Sequence, residues 1–319
     1  MRNYLAVLTL FFCFSLCGSD SLSIVFVHVG PQLPPYASTS LDQARTFNPD
    51  CPIYLLASKQ ALNNFSQKGI KTVAYNTIPF SKEHNLFCKQ ARQTDPFWRY
   101  TSERFLYLYD FMLHYNLENV FHLENDVMLY ADLRELLPLF QSHYPCIAST
   151  FDNEERCIPG FVYIPSIIKM KKLAKCFADY APAQMNDMQI FGIFRKKYGE
   201  RAIDILPIIT PEYIADHPLR SPFGHVPVNK WTFCQNSDVF NSIFDAAALG
   251  QYLGGIDPIL GTSVPGFINE RCLFNPSYLT YEWIEDENNR KIPYAIYGGR
   301  QWRINNLHIH SKNLIPFKS

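Results

Sequence analysis

The amino-acid sequence predicts an α/β protein with a mostly parallel central sheet flanked by helices and a loop-rich C-terminal half. Three observations indicate this class. Short β-branched and apolar runs end in turn residues, and these runs alternate with segments of helical periodicity. The chain has 319 residues, of which 47% are hydrophobic, and this is enough to bury one substantial core. Strands that alternate with helices at this spacing are typical of parallel sheets with crossover helices.

The first element is predicted to be a buried strand at residues 23–29, because its β-branched run ends at Gly30-Pro31. The clearest helix is predicted at residues 102–115, where apolar side chains recur at helical spacing and Ser102 can cap the start. The other predictions are strands at residues 52–57, 71–75, 120–123, 146–150 and 161–164, and helices at residues 38–47, 60–68, 133–140, 169–180 and 188–198. Beyond residue 205 proline becomes frequent and periodicity weakens, so we expect loops packed on the same core.

The N-terminus predicts a leader at residues 1–21, followed by one domain at residues 22–319. Arg2 precedes an apolar run at residues 5–16, and Gly18-Ser19 follows it. This is the pattern of a signal peptide, and the run is short for a membrane anchor. We therefore expect a protein of the secretory pathway or an exported protein, with membrane association through the leader as the alternative.

Charge and cysteine usage exclude some classes of partner. Lys plus Arg and Asp plus Glu both number 29, and no basic run occurs, so no nucleic-acid partner is expected. The nine cysteines are dispersed without a Cys-x-x-Cys pair. This pattern fits neither a disulfide framework nor a zinc site, and we expect most of them to be small buried hydrophobic residues.

An acidic triplet follows the strand predicted at residues 120–123. Side chains two apart on a strand point to the same side, so Glu124 and Asp126 are predicted to face one way where the strand ends. Ligands of open parallel sheets bind at the carboxyl ends of the strands. An acidic pair there can simply begin a solvated turn, but its place after an apolar strand favours a site for Mn²⁺ or Mg²⁺.

A second polar motif lies near the C-terminus. His308 and His310 are predicted to share one strand face, with Leu307 and Ile309 on the other. Imidazole is a good ligand for transition ions, so a histidine that joins two carboxylates favours Mn²⁺ over Mg²⁺. Lys312 supplies a cation that can neutralise a diphosphate.

Together these features resemble a GT-A-type glycosyltransferase with a DXD motif, over roughly residues 23–312. The donor-binding triplet Glu124-Asn125-Asp126 is similar to that motif, with Glu in place of its first Asp. The resemblance implies that Asp126 ligates the metal and that Glu124 contacts the ribose or acts through water. It also implies that His310 is the C-terminal metal ligand, with His308 as second choice.

The resemblance extends to three further positions, and Asp245 is a further candidate from the sequence itself. Arg104 is implied to contact the nucleotide or its phosphates, and Gly160 to lie beneath the donor sugar. Asp187 is implied to bind the donor sugar or act as a base, although it is also a candidate helix cap. Asp245 is the second candidate for the catalytic carboxylate, or a cap for the helix that follows it.

The function implied is a metal-dependent glycosyltransferase that uses Mn²⁺, or Mg²⁺ in its place. Its donor is a nucleoside-diphosphate sugar, and its acceptor is a glycan, a lipid or a protein. One alternative is a sugar nucleotidyltransferase, which would carry a Gly-rich basic loop after its first strand, where this chain has GPQLPP. The other alternative is a secreted carbohydrate-binding protein without catalysis, in which the triplet holds Ca²⁺.

Overall fold

The computed structural model describes residues 22–91, 95–220 and 229–319, so the predicted leader at residues 1–21 lies outside the described residues. The strands are β1 (Ser23–Val27), β2 (Ile53–Ala57), β3 (Ile70–Ala74), β4 (Val120–Leu123), β5 (Val127–Leu129), β6 (Ile147–Phe151), β7 (Cys157–Ile164), β8 (Ile203–Ile205), β9 (Ser242–Ile243), β10 (Thr280–Glu285), β11 (Lys291–Tyr297), β12 (Arg300–Ile304) and β13 (Asn306–His308). The helices are α1 (Ala37–Phe47), α2 (Lys59–Leu62), α3 (Lys82–Gln90), α4 (Pro96–Tyr115), α5 (Leu133–His143), α6 (Ile167–Tyr180), α7 (Asp187–Tyr198), α8 (Pro211–Asp216), α9 (Ser237–Phe240) and α10 (Ala248–Gly254). Across these ranges, no helix has the length and apolar character needed to cross a membrane.

A seven-stranded sheet forms the centre of the fold, in the order β3-β2-β1-β4-β7-β6-β8. The first four strands in this order run parallel, β7 is antiparallel to β4 and β6, and β8 is parallel to β6. The predicted α/β class with a mostly parallel sheet is therefore confirmed. The carboxyl ends of β1, β2, β3 and β4 all meet at one edge, where ligands of such sheets bind.

Helices cover both faces of this sheet because its strands are apolar on both sides. On β1, Val25 and Val27 point into a core shared with α3, α4, α6 and α7. Ile24 and Phe26 point into the opposite core, which includes side chains of α1 and α5. Successive side chains of a strand point to opposite faces, so one short run serves both cores.

Two of the predicted helices have one end that differs by six residues from the observed helix. α4 begins at Pro96, and the side chain of Asp95 caps it by accepting the N–H of Phe97, so the predicted start at Ser102 was wrong. The helix predicted at residues 60–68 is wrong in length, since α2 ends at Leu62. Ser102 lies inside α4 and is buried, which shows that an N-cap residue type also occurs within helices.

The strand predicted at residues 161–164 begins earlier, at Cys157, so Pro159 and Gly160 lie within β7 rather than before it. The loop-rich description of the C-terminal half misses one ordered sheet, in the order β10-β11-β12-β9. A tight turn at Gly298-Gly299 joins β11 to β12, and both glycines have positive φ. A Gly-Gly pair between two runs that contain aromatic and β-branched residues is a hairpin signal that was available in the sequence.

Candidate functional site

Three side chains with metal-ligating atoms meet at the carboxyl end of β4. Nε2 of His308 lies 3.2 Å from Oε2 of Glu124 and 3.2 Å from Oδ2 of Asp126. The ligand atoms of the three residues all lie within 4.8 Å of one another. The amino group of Lys312 contacts the same Oδ2 of Asp126. We call Glu124, Asp126 and His308 the acid–histidine cluster.

Strand pairing builds this cluster from two distant parts of the chain. β13 pairs antiparallel with β5, and His308 is opposite Val127, the residue after Asp126. The N–H of Ile309 donates to the main-chain oxygen of Asp126 at 2.9 Å. The C-terminal motif therefore lies beside the triplet because β13 is hydrogen-bonded to β5, the strand that follows the triplet.

Both carboxylates of the cluster are ionised. Burial opposes the charge of Asp126, but His308 and Lys312 outweigh burial and hold the pKa of Asp126 well below its usual range. Burial likewise opposes the charge of Glu124, but Arg104 and His308 outweigh it and lower its pKa. Burial also opposes charge on His308, while Asp126 and Glu124 raise the pKa of this imidazole. Glu124 and Asp126 therefore carry the charge that ligands of a cation need.

Lys312 is held in an uncommon backbone conformation. Its φ is 65°, in the left-handed region that residues other than glycine and asparagine seldom adopt. Its N–H donates to the oxygen of Ile309 at 3.0 Å and closes a tight turn. Residues in sparsely populated conformations concentrate at functional sites. Here the conformation accompanies the contact between the ammonium group and Asp126.

Arg104 joins the cluster to a third carboxylate. Its guanidinium contacts Oε1 of Glu124, and its Nη2 donates to Oδ2 of Asp187 at 2.7 Å. Burial opposes the charge of Arg104, but Glu124 and Asp187 outweigh burial and raise its pKa. Burial raises the pKa of Asp187, and the charge of Arg104 only partly offsets this. α4 thus holds two carboxylates side by side through one buried guanidinium.

The predicted role of Asp187 as a helix cap is wrong. The side chain of Asn186 caps α7 by accepting the N–H of Gln189, and the side chain of Gln189 accepts the N–H of Asn186 in return. This capping box needs no carboxylate from Asp187. The Asp187 side chain therefore accepts a hydrogen bond from Arg104 instead of capping the helix.

Asp245 contacts the backbone of His308 and is not a member of the acid–histidine cluster. Its carboxylate accepts the backbone N–H groups of Leu249, Gly250 and His308, each at 2.9 Å. It therefore stabilises the start of α10, which continues past the predicted end at Gly250 to Gly254. Burial raises the pKa of Asp245 to about 6, although these N–H groups oppose the rise.

His310 lies outside the acid–histidine cluster. The predicted shared strand face is wrong because β13 ends at His308. The Nδ1 of His310 accepts the N–H of Asp257 at 3.1 Å. Burial lowers the pKa of His310 to about 4. The structure thus brings the second-choice histidine, and not the first, against the two carboxylates.

Gly160 and Asn125 both border the cluster. The oxygen of Gly160 accepts the N–H of Glu124 at 3.0 Å. A Cβ at Gly160 would lie 2.8 Å from Nδ1 of His308 and 3.2 Å from a methyl group of Val127, so only glycine leaves room for the imidazole. Nδ2 of Asn125 lies 3.4 Å from Nδ1 of His28, while its Oδ1 is buried without a hydrogen-bond partner.

A cavity of about 530 Å³ opens at the carboxyl ends of β1, β2 and β3. Its volume is in the range of small-molecule sites. Glu103 of α4 lines the cavity, and the next residue, Arg104, contacts Glu124. α4 therefore borders the cavity and also reaches the cluster. Other lining residues are Val29, Ser58, Tyr75, Arg99, Tyr100 and Tyr107.

The donor set of the cluster fits a divalent cation. Two ionised carboxylates supply the oxygen ligands that Mg²⁺ and Mn²⁺ prefer, and the imidazole of His308 adds a nitrogen ligand that favours Mn²⁺. The adjacent Lys312 is suited to an anion that bears several negative charges, such as a diphosphate.

Tyr36 is a neighbour of the cluster that the sequence analysis missed. Its ring centroid lies 5.8 Å from Nζ of Lys312. Burial raises the pKa of Tyr36 to about 12, and the charge of Asp126 contributes to the rise. The hydroxyl group therefore stays protonated and can donate a hydrogen bond. No motif surrounds Tyr36 in the sequence, so it could be found only from its position in space.

The chain is similar to several solved glycosyltransferase structures. No protein-family model and no curated protein matches it. Mouse xyloside xylosyltransferase 1, in its apo form, is 10% identical with a TM-score of 0.42, over 69% of this chain and 92% of that chain. The galactosyltransferase LgtC, in complex with donor and acceptor sugar analogs, is 13% identical with a TM-score of 0.38, over 66% and 83%.

A third match belongs to a different enzyme class. A cytidylyltransferase from Leptospira borgpetersenii is 11% identical with a TM-score of 0.36, over 59% of this chain and 76% of that chain. Likeness at these scores does not define an activity. The function is therefore argued from the side chains of the site.

Proposed function

We propose that this protein is a Mn²⁺-dependent glycosyltransferase that moves a sugar from a nucleoside-diphosphate sugar to a glycan, lipid or protein acceptor. The observation that carries the proposal is the meeting of Glu124, Asp126 and His308 beside Lys312 at the carboxyl end of β4. Two ionised carboxylates and an imidazole suit a divalent cation, and the adjacent ammonium group suits a diphosphate.

Asp126 and His308 are the metal ligands that we propose, and Glu124 is close enough to be a third. A bound Mn²⁺ supplies positive charge that offsets the charge developing on a departing diphosphate. Lys312 adds a second cation on the same side of Asp126. Arg104 occupies the other oxygen of Glu124 and so fixes the direction of this carboxylate.

The cavity beside β1, β2 and β3 is the proposed site of the nucleoside. Tyr75 and Tyr107 form a stacked pair in its wall, with ring centroids 3.9 Å apart. Tyr100 is 38% exposed, so part of its ring is accessible to a base. Aromatic rings bind bases by stacking. A nucleotide bound here would extend along α4 toward Lys312 and the cluster.

Asp187 is the catalytic carboxylate that we favour, either to contact the donor sugar or to act as a base. It shares Arg104 with Glu124 and therefore lies next to the metal site. Asp245 is bound by three backbone N–H groups, and this favours a role in positioning His308 instead.

The experiment is a hydrolysis assay of a panel of nucleotide sugars, with and without Mn²⁺. Wild type is compared with Asp126→Asn and with Asp132→Asn, a carboxylate that caps α5. We expect Mn²⁺-dependent release of one nucleoside diphosphate, lost by at least about 100-fold in Asp126→Asn. Asn caps helices about as well as Asp, so Asp132→Asn should keep the wild-type release.

Two outcomes would replace the proposal by another function. Binding of sugars without binding of any nucleotide would favour a carbohydrate-binding protein. Release of pyrophosphate from a nucleoside triphosphate and a sugar phosphate would show nucleotidyl transfer. The loop from Gly30 to Pro35 has no lysine or arginine to hold a triphosphate, and for this reason we expect neither pyrophosphate release nor triphosphate binding.

A further inference from the structure

A second group of metal-ligating side chains lies between α3 and α4, outside the acid–histidine cluster. It contains His84 and Cys88 from α3 and Glu103 from α4, and their ligand atoms all lie within 4.8 Å of one another. Nε2 of His84 is 3.5 Å from Oε1 of Glu103, and Sγ of Cys88 is 3.7 Å from the same oxygen. His84 and Cys88 are four residues apart on a helix and therefore point to one side.

Neighbouring side chains orient two members of this group. Nδ1 of His84 lies 2.6 Å from Oδ2 of Asp110, which leaves Nε2 directed toward Cys88 and Glu103. Nε of Arg99 donates to Oε2 of Glu103 at 3.3 Å, which leaves Oε1 for the group. A carboxylate that holds the far nitrogen of a histidine is the usual second contact of a zinc-ligating imidazole.

We propose that His84, Cys88 and Glu103 bind Zn²⁺ through Nε2, Sγ and Oε1. Tetrahedral zinc separates a nitrogen ligand from an oxygen ligand by about 3.4 Å, and a sulfur ligand from an oxygen ligand by about 3.6 Å. The observed separations of 3.5 Å and 3.7 Å are close to these values. Burial opposes charge on His84, but Asp110 and Glu103 outweigh burial and raise the pKa of His84 to about 10. Zinc binding would therefore release the Nε2 proton of His84 as well as the thiol proton of Cys88 to solvent. One thiolate plus one carboxylate would then balance the charge of the ion.

A zinc ion bound here would link α3 to α4, the helix that forms part of the wall of the nucleoside cavity. Glu103 lines that cavity. In the described ranges, the group has three members with ligand atoms, so water would take the fourth position of a tetrahedral zinc. The dispersed cysteines led us to expect no zinc site. The proposed site rests instead on a His-x-x-x-Cys pair on one helix, which needs only one more ligand from a neighbouring helix.

The experiment loads metal-free protein with Co²⁺, which replaces zinc and gives a sulfur-to-cobalt charge-transfer band when a thiolate binds. Wild type is compared with Cys88→Ser and with Cys176→Ser, a buried cysteine of α6 outside the group. Loss of an outer contact already lowers metal affinity by about 10- to 100-fold. We therefore expect Cys88→Ser to abolish the band and weaken Zn²⁺ binding by more than about 100-fold, and Cys176→Ser to retain both.

Two further variants separate this site from the acid–histidine cluster and from a folding defect. Asp126→Asn should keep the charge-transfer band, whether or not the proposed transferase activity exists. Asp110→Asn should keep the band but weaken Zn²⁺ binding by about 10- to 100-fold. Unfolding temperatures of metal-free wild type and Cys88→Ser should agree. Absence of the band in folded wild type, or its persistence in Cys88→Ser, would overturn the zinc site.

Discussion

The position of His308 is set by its neighbours on three sides. Asp245 binds its N–H, Gly160 leaves space beside its ring, and Asp126 faces its Nε2. The ring itself is buried, and its Nδ1 has no hydrogen-bond partner. We therefore expect small substitutions around this imidazole to change the affinity for metal more than they change the stability of the fold.

Gly160→Ala should lower the affinity for Mn²⁺ by at least about tenfold, because the added methyl group would lie 2.8 Å from Nδ1 of His308 and displace the ring. Val162→Ala, on the same strand, removes volume from the core that Val162 shares with Val25 and should lower only the unfolding temperature. The measurement is a Mn²⁺ titration of both variants. Equal Mn²⁺ affinity in the two would contradict the role of Gly160.

Asp187→Asn should separate turnover from binding. Asparagine can still accept the hydrogen bond from Arg104, so we expect nucleoside-diphosphate affinity to stay within about twofold of wild type. Loss of a general base or of a charged contact to the donor sugar costs about 100-fold or more in turnover. Turnover and binding are measured on the same samples. Unchanged turnover would move the catalytic role away from Asp187.

At the scale of elements, β13 and α10 depend on one carboxylate. Asp245→Ala would leave three buried N–H groups without their acceptor and should lower the free energy of unfolding by about 2–4 kcal/mol. Asp245→Asn keeps one acceptor oxygen and should lose less. Urea unfolding measures both values. Asp245→Ala should also weaken Mn²⁺ binding, and a stable variant with full affinity would show that α10 does not position His308.

The elements that the sequence predicted well are those with local signals. The alternation of strands and helices, and the acidic triplet at the end of β4, follow from residues close together in the chain. The choice between His308 and His310 does not, because it depends on where pairing with β5 ends. The contact between Gly160 and His308 is likewise made only by the folded sheet.

For the whole molecule, the two cores are separated by a sheet that contains a buried histidine. His122 of β4 places Nδ1 2.9 Å from the oxygen of Val25. Burial lowers the pKa of His122 to about 3, and the charge of Arg104 contributes. The unfolded chain has a histidine pKa of about 6.5, so it takes up the proton first as the pH falls. Stability should therefore decrease below pH 6.5 and continue to decrease toward pH 3.

His122→Gln tests this pH dependence. From pH 7 to pH 5, wild type should lose about 2 kcal/mol more free energy of unfolding than the variant, because only wild type has this histidine to protonate on unfolding. The exposed His143 is the control, and His143→Gln should keep the wild-type dependence. Urea unfolding at several pH values gives the slopes. Parallel slopes for wild type and His122→Gln would contradict the account.

The most direct test of the central claim is a Mn²⁺ titration followed by electron paramagnetic resonance, with and without a nucleoside diphosphate. Wild type should bind one Mn²⁺ at the acid–histidine cluster, and the diphosphate should tighten that binding. His308→Ala should weaken Mn²⁺ binding by at least about tenfold, while His310→Ala, two residues away and outside the cluster, should stay close to wild type. Equal loss in both variants, or Mn²⁺ binding that the diphosphate does not change, would contradict the proposed metal–diphosphate site.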